Sequence, residues 1–349
     1  MQLLFIKLKH IGDALIMTPM LTAVRERYPE AEIHVVVRHG TEGILAGCPA
    51  IDHFWTTTPP SKYLRQGGDW RSGLPLVRQL RQQKYDIVFE LSDGDRGRWI
   101  SAFCRAKHRC TNTGVHPLSW FWKLFFNQTP DINWLAMHRV EKDYRTVNAV
   151  LPLDDKIPSL TFAKDCTRAW PAAEHLSDFI LIHPATRWRS KHYSEGKWVT
   201  VCQQLLEKVP RLVLSCGPDE DEIAATQRLK SKLGERVLFT EGKLDWQQVA
   251  GLLYRAKLFV GVDTAAMHLA AACQCPTVAV FGPSVSWYWR PWKVASEIVT
   301  TTSIDKYSGD LNDFVEIEKI KTTEVCPTQV IAACERLLSI PYPRHQPSL

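Results

Sequence analysis

The sequence predicts two doubly wound, Rossmann-like α/β domains facing a central cleft. Short, β-branched apolar stretches alternate with helical patterns along both halves, the signature of parallel βαβ units. The alternation breaks between about 150 and 175, in the polar, proline-bearing LPLDDKIPSL and RAWPAAEHLS. A chain of 349 residues is long for one core and ample for two of roughly 150–180 residues. The expected domains are 1–155 and 176–325, followed by a helix and tail over 326–349.

In the first half LLFIKL (3–8) reads as a strand, and Gly12 in KHIGDAL permits a tight turn after it. Thr18-Pro19 can cap and open a helix running to about Tyr28, because proline is tolerated at the first helical position. EIHVVV (32–37) and YDIVFELS (85–92) are strand-like, 74–84 is helical, and 57–71 and 109–137 lack periodicity and read as loops. In the second half strands at 179–184, 211–216, 236–240, 257–262 and 277–282 alternate with helices at 195–208, 219–232, 245–255 and 265–273. A last helix is expected over 327–339.

Hydrophobic residues at 45% and charged residues at 23% describe a folded chain rather than a disordered one. No run approaches about 18 apolar residues, which excludes a spanning helix, and MQLLFIKLKHIGD meets charge at Lys7, unlike a signal peptide. The ten cysteines are scattered without C-x-x-C or His spacing, as in a reduced cytoplasm without structural zinc. Residues 1–150 carry 20 Lys/Arg against 14 Asp/Glu, whereas 151–349 carry 23 of each, so the excess charge of +6 sits in the first half. Such a half suits an anionic partner (phosphorylated glycan, membrane surface or nucleic acid) or is simply a solvated surface.

In open α/β sheets, ligands bind beyond the carboxyl ends of strands. Three such positions carry unexpected chemistry. GVDTAAMHLAAACQ (261–274) places Asp263, Thr264 and His268 where a strand turns into a helix. Free N–H groups and the helix dipole make that end an anion site, the small Ala265 and Ala266 allow close approach, and His268 lies one turn from Thr264 on the same face. Asp263 or Thr264 would serve equally as a plain cap, with His268 packed inside. HPATRWRSKHYSEGKW (183–198) clusters Arg187, Arg189 and Lys191, cations able to neutralise a phosphate leaving group or to remain solvated. Asp13, after strand 1, can act as a general base or as an N-cap. The glycine fingerprints of NAD and P-loop proteins, the serine-hydrolase elbow, H-E-x-x-H and nucleic-acid modules are all missing.

The chain resembles the lipopolysaccharide core heptosyltransferases of glycosyltransferase family 9. IKLKHIGDALIMTPML (6–21) is similar to the family's opening strand and Gly-Asp turn, LFVGVDTAAMHLAAACQCPTVAVFGPS (258–284) to its donor signature, and HPATRWRSKHYSEGKW to its phosphate loop. SWYWRPWK (286–293) looks closest to members that add the third heptose. The resemblance implies a GT-B fold and an inverting transfer of heptose from ADP-heptose to a heptose hydroxyl of the lipopolysaccharide inner core, without a required metal or other cofactor. Carried over by residue, Asp13 is the base and Lys191 offsets the departing diphosphate. Asp263, Thr264, Ala265 and His268 hold diphosphate and heptose, Glu220 accepts from the ribose hydroxyls, and Leu244 packs near adenine. Glu220 also reads as a solvated carboxylate at a helix start, and Leu244 as an ordinary core residue. Several relatives have glycine where this chain has Ala265, and the loop from Arg187 to Lys191 differs from the first-heptose members, which leaves Thr186 and Arg187 without firm roles.

The expected partners are then ADP-heptose and the lipopolysaccharide core glycolipid, and no nucleic acid. Arg96, Arg98, Arg105, Lys107 and Arg109 are candidate contacts for acceptor carboxylates and phosphates, or an ordinary helix face. The aromatic loop 118–137 offers a peripheral contact with the cytoplasmic face of the inner membrane, where the acceptor is anchored, or packs beneath its own loop. A transferase of the same fold with another nucleotide sugar, or a non-catalytic binder, stands as the alternative.

Overall fold

The computed structural model describes residues 1–57, 74–301, 316–317 and 319–340. The chain divides into two compact units, Met1–Thr161 and Phe162–Leu349, and the division falls inside the stretch read as a linker. Most of the loop expected over 57–71, and the tail after residue 340, lie outside the described residues.

In the N-terminal unit five parallel strands are ordered β3-β2-β1-β4-β5. They are β1 (Gln2–Lys7), β2 (Glu32–Arg38), β3 (His53–Thr57), β4 (Tyr85–Glu90) and β5 (Ala106–Thr111). The central β1, QLLFIK, is buried from Leu3 onward, because a parallel sheet covered on both faces needs a continuous apolar strand. Its register sets Phe5 opposite Phe89, and their rings stack at 5.0 Å. Leu4, Ile6, Val36 and Val88 pack on one face with Leu76 and Leu80 of a helix and Ile100 of another.

Two local expectations need correction. Gly12 makes no tight turn: it lies within a short helix, α1 (Ile11–Leu15), and its φ is not positive. Thr18 does not cap α2 (Thr18–Arg27), since Met17 takes that position and Pro19 falls in the first turn. The Thr18 hydroxyl instead donates to the Leu15 carbonyl at 2.9 Å and accepts from the Thr161 N–H at 3.1 Å. Helices α3 (Leu74–Leu80), α4 (Asp95–Phe103) and α5 (Arg139–Asn148) complete the unit's main elements.

Charge is buried beside this sheet. At the end of β1 the Lys7 ammonium meets Asp143 of α5 at 2.6 Å, both side chains fully enclosed. Asp93, in the left-handed region at φ 56°, accepts from Arg139 at 2.8 Å and from Lys142. Burial works to raise the Asp93 pKa, but Arg139 and Lys142 outweigh it and hold the carboxyl well below the usual range. Burial, with neighbouring Arg139, draws Lys142 down to about 8. Glu90, the last residue of β4, is enclosed, and burial together with the charge of Asp93 pushes its carboxyl up to about 7.

The C-terminal unit holds six parallel strands ordered β11-β10-β9-β6-β7-β8. These are β6 (Phe179–His183), β7 (Arg211–Leu214), β8 (Val237–Phe239), β9 (Leu258–Val262), β10 (Thr277–Val280) and β11 (Ser296–Val299). The expected helices form as α6 (Glu195–Leu206), α7 (Glu220–Ser231), α8 (Trp246–Leu253) and α9 (Ala265–Ala272), and a single turn, α10 (Ser286–Trp289), follows β10. The helix Pro327–Ser339 closes the unit by adding Val330, Ala333, Cys334 and Leu337 to its core. Strands β6 and β9 are buried throughout. A side chain at Gly261 would bring Cβ within 2.9 Å of the His183 carbonyl, so only glycine lets these two strands pair here.

Removing one member of the enclosed Lys7–Asp143 pair leaves an uncompensated buried charge. Asp143→Leu should cost about 3–5 kcal/mol in urea denaturation, most of it recovered by adding Lys7→Met. Glu90 sets a pH dependence of the opposite sign to an ordinary ion-paired carboxylate. The folded form binds the proton more tightly than the unfolded chain, so its contribution is complete below the unfolded pKa of 4.5 and is lost as pH rises through about 7. Urea midpoints should fall across that window, and Glu90→Gln should flatten the fall.

Candidate active site

The six-stranded order is the doubly wound one, and its connection reverses between β6 and β9. That topological switch point is where open α/β sheets bind ligands. The loops leaving those two strands carry the residues the sequence singles out. After β6 the chain forms a one-turn helix, Arg189–Lys191, before Ser194 opens α6. Directly after β9 comes Asp263, and Lys191 Nζ lies 2.5 Å from its Oδ2. The Asp263 side chain is 7% exposed and that of Lys191 24%, so the carboxylate is sealed in while the lysine side chain remains partly exposed.

Thr264 takes the cap position of α9 with extended backbone, φ −145° and ψ 174°. Its side chain does not cap. The Oγ1 is shielded from solvent yet hydrogen-bonds to no described residue, and a buried hydroxyl without a partner is costly unless something supplies one. The plain-cap alternative for Thr264 is thereby set aside. Ala265 is half-buried at the first helical position, and the His268 N–H bonds back to the Thr264 carbonyl at 3.4 Å. The enclosed His268 ring meets Trp289 of α10 edge-on, centroids 6.3 Å apart. Asp263, Thr264, Ala265, His268 and Lys191 thus share one strand end, with Trp289 added from SWYWRPWK.

A second cluster surrounds the loop after β7. A cavity of about 330 Å³ is lined by Thr186, Arg187, Arg189, His192, Asp219 and Glu222 among others. Asp263, Thr264 and His268 lie outside this lining, which has an ion pair of its own between Arg228 and Glu195 at 3.3 Å. Glu220 is exposed on the first turn of α7 and does not line the cavity, and the cap there is Asp219, which accepts from the Asp221 N–H at 3.0 Å. Glu222, overlooked in the sequence, turns inward and accepts from the Gly217 N–H at 2.9 Å, and burial raises its carboxyl pKa. The signal was its place in SCGPDEDE: once Asp219 caps, the third helical residue faces back over the preceding loop. Gly242, at φ 67°, packs its backbone on Gly217, where a Cβ would sit 2.6 Å from the Gly217 carbonyl. Leu244 follows two residues later, half-buried.

In the N-terminal unit the order reverses between β1 and β4. Asp13 follows β1 in α1, buried, with Oδ2 accepting from the His10 N–H at 3.1 Å. A capping contact therefore orients the carboxylate through one oxygen. The five cations weighed as acceptor contacts do not form one helix face. Arg96 and Arg98 stand on α4, Arg105 follows it, and Lys107 and Arg109 belong to β5. Arg109 donates to the Ser101 and Cys104 carbonyls at 2.9 and 2.6 Å, tying down the α4 C-terminus, while Lys107 pairs with Asp86 at 2.6 Å.

Residues 74–310 match glycosyltransferase family 9 (heptosyltransferase). Lipopolysaccharide heptosyltransferase 3 of Escherichia coli K12 is 26% identical over 346 residues, 95% of this chain and 96% of that protein. Lipopolysaccharide heptosyltransferase 1 of Pseudomonas aeruginosa is 24% identical over 302 residues, 81% of this chain and 79% of that protein. Among solved structures, the glycosyl transferase family 9 from Veillonella parvula has a TM-score of 0.81 at 17% identity, covering 97% of both chains. E. coli heptosyltransferase WaaC with ADP has a TM-score of 0.73 at 20% identity, over 90% of this chain and 99% of that one, and WaaC with ADP-2-deoxy-2-fluoro heptose one of 0.72. These likenesses bear out the expected GT-B fold class. With a match that spans more than half of its length and relatives aligned almost end to end, the chain belongs to glycosyltransferase family 9 (heptosyltransferase).

Proposed function

We propose that this transferase moves L-glycero-D-manno-heptose from ADP-heptose to a heptose hydroxyl of the lipopolysaccharide inner core, with inversion. The carrying observation is the switch-point cluster: an ammonium held by a sealed carboxylate beside a helix N-terminus whose threonine hydroxyl has no partner among the described residues. A sugar diphosphate supplies what that arrangement lacks. Its oxygens accept from the Thr264 hydroxyl and from the free N–H groups of the first turn of α9, and Lys191 stands by with its partly exposed side chain. Asp263 fixes the ammonium and can accept from a sugar hydroxyl. The likeness to WaaC with ADP supports this donor, and the names of the relatives support the acceptor.

In the proposed step an acceptor oxygen attacks the anomeric carbon from the face opposite the diphosphate and passes its proton to Asp13, while the carbon–oxygen bond to phosphate breaks and ADP departs with the electron pair. Charge then builds on the leaving oxygen. Lys191 and the α9 N–H groups offset it, so the mechanism assigns no task to a metal or other cofactor. Across the contact between Gly217 and Gly242, Glu222 is better placed than Glu220 to accept from the ribose hydroxyls, with Leu244 near the base. No helix among the described residues is long and apolar enough to cross a membrane. We assign the reaction to the cytoplasmic face of the inner membrane.

The test follows ADP release and acceptor mass with ADP-heptose and heptose-deficient core glycolipid. Wild type should add one heptose. Asp13→Asn should lower turnover by about 10²–10⁴-fold with donor affinity unchanged, and a large loss of donor binding would make Asp13 structural. Lys191→Ala should weaken ADP binding and slow turnover together, whereas unchanged kinetics would remove it from the mechanism. ADP should inhibit far better than UDP or GDP. Glu222→Gln should weaken ADP inhibition and Glu220→Gln should not, an order whose reversal restores Glu220.

A further inference from the structure

Several of the exposed large apolar side chains gather on one patch of the N-terminal unit. Trp99 and Phe103, one turn apart on α4, are 40% and 47% exposed with rings stacked at 5.6 Å. Trp99 also meets Trp122 at 4.9 Å and Phe121 at 5.6 Å, which joins α4 to the aromatic loop. From that loop Trp120 and Leu124 stand out at 77% and 73% exposure, Trp120 contacting Phe121 at 6.1 Å. Beneath them Leu118, Trp122 and Phe126 form a small core. The aromatic loop therefore does both things its sequence allowed: one face packs, and the other is offered to solvent.

The charge around the patch is predominantly positive. Residues 94–126 hold six Lys/Arg and a single acid, Asp95. Lys123 lies between Trp122 and the exposed Leu124, Arg105 is exposed two residues beyond Phe103, and the Arg98 guanidinium sits over the Trp122 ring at 5.9 Å. A second copy of the chain would set these cations against their like across a two-fold interface, which disfavours self-association. Indole and phenyl rings ringed by Lys and Arg fit the interfacial zone of a bilayer rich in anionic headgroups.

We propose that the patch of Trp99, Phe103, Trp120 and Leu124, with Lys123 and Arg105 at its edge, docks the N-terminal unit onto the surface of an anionic lipid bilayer. The proposal deepens the reading above, whose acceptor is membrane-anchored. Docking would hold the enzyme where its acceptor is concentrated while the aromatic side chains enter only the interface.

The test is co-sedimentation of the full chain with vesicles of phosphatidylcholine alone or mixed with phosphatidylglycerol. Binding should require the anionic lipid and weaken with salt. Lys123→Glu should reduce it on the order of fivefold or more, in keeping with the contribution of one cation near such a surface. Trp120→Ser with Leu124→Ser should reduce it further, while ADP binding and heptose transfer to a lipid-free core oligosaccharide stay at wild-type levels. Equal binding by wild type and variants, no preference for phosphatidylglycerol, or a lipid-free dimer dispersed by the same substitutions would overturn the proposal. Vesicle binding with the expected variant pattern but no heptose transfer would retain the docking surface and reject the proposed reaction. Transfer without such binding would do the reverse.

Discussion

Both sheets are parallel and covered on both faces, and that constraint decides where chemistry can stand. A strand such as LFVGV or FILIH, buried at every residue, has no room for a carboxylate along its length. Polar groups collect where the strands end, and the two strand ends beside the order reversal diverge enough to leave space between their loops. Asp263 follows the last residue of β9 directly, and Lys191 comes from the loop after β6, the neighbouring strand. Close pairing of those strands depends in turn on Gly261, whose missing side chain lets the His183 carbonyl approach. The ion pair therefore rests on a backbone contact below it.

The two units handle enclosed charge differently. Beside β1 and β4, Lys7, Asp143, Asp93, Arg139 and Lys142 pair with one another in an enclosed region, although Asp143 Oδ1 hydrogen-bonds to no described residue. These pairs tie α5 to β1 and to the loop after β4. At the end of β9 the Lys191 side chain retains exposure and Thr264 Oγ1 hydrogen-bonds to no described residue. Exposure separates the two: the Lys7–Asp143 pair is closed to solvent, whereas the Lys191 side chain is not.

Much of this was legible in the sequence, for reasons that differ by element. Strands β1, β2, β4, β6 and β9 were plain because burial on both faces writes a continuous apolar run. The short edge strands HFWTT and SEIV were not, since an edge tolerates polar residues and loses that signature. GVDTAAMHLAAACQ disclosed its strand end because three polar residues among alanines serve no packing purpose. Its pairing with Lys191 spans 72 positions and follows from strand order, which no local pattern encodes. Glu220 and Glu222 show how fine the limit is: two positions along one helical turn separate an exposed carboxylate from one lining a cavity, and the choice depended on which residue became the cap. Gly12 misled because its permissive backbone implied a turn where a short helix forms.

The family resemblance implies glycine at the position of Ala265, and the backbone explains how the chain accepts alanine there. Neither Ala265 nor its neighbours adopt a positive φ, and Ala265 begins a regular helix after an extended Thr264. Glycine is therefore not needed there for conformation. The added methyl instead stabilises by restricting the unfolded chain, about 0.4–1 kcal/mol where the native φ suits alanine. Its cost falls only on space at the helix N-terminus, beside the Thr264 hydroxyl. The first two helical residues, Ala265 and Ala266, carry only methyl side chains after the Thr264 cap. The diphosphate proposed for this site would meet a helix end whose backbone is regular from Ala265 onward, so the direction of its N–H groups is set before any ligand arrives.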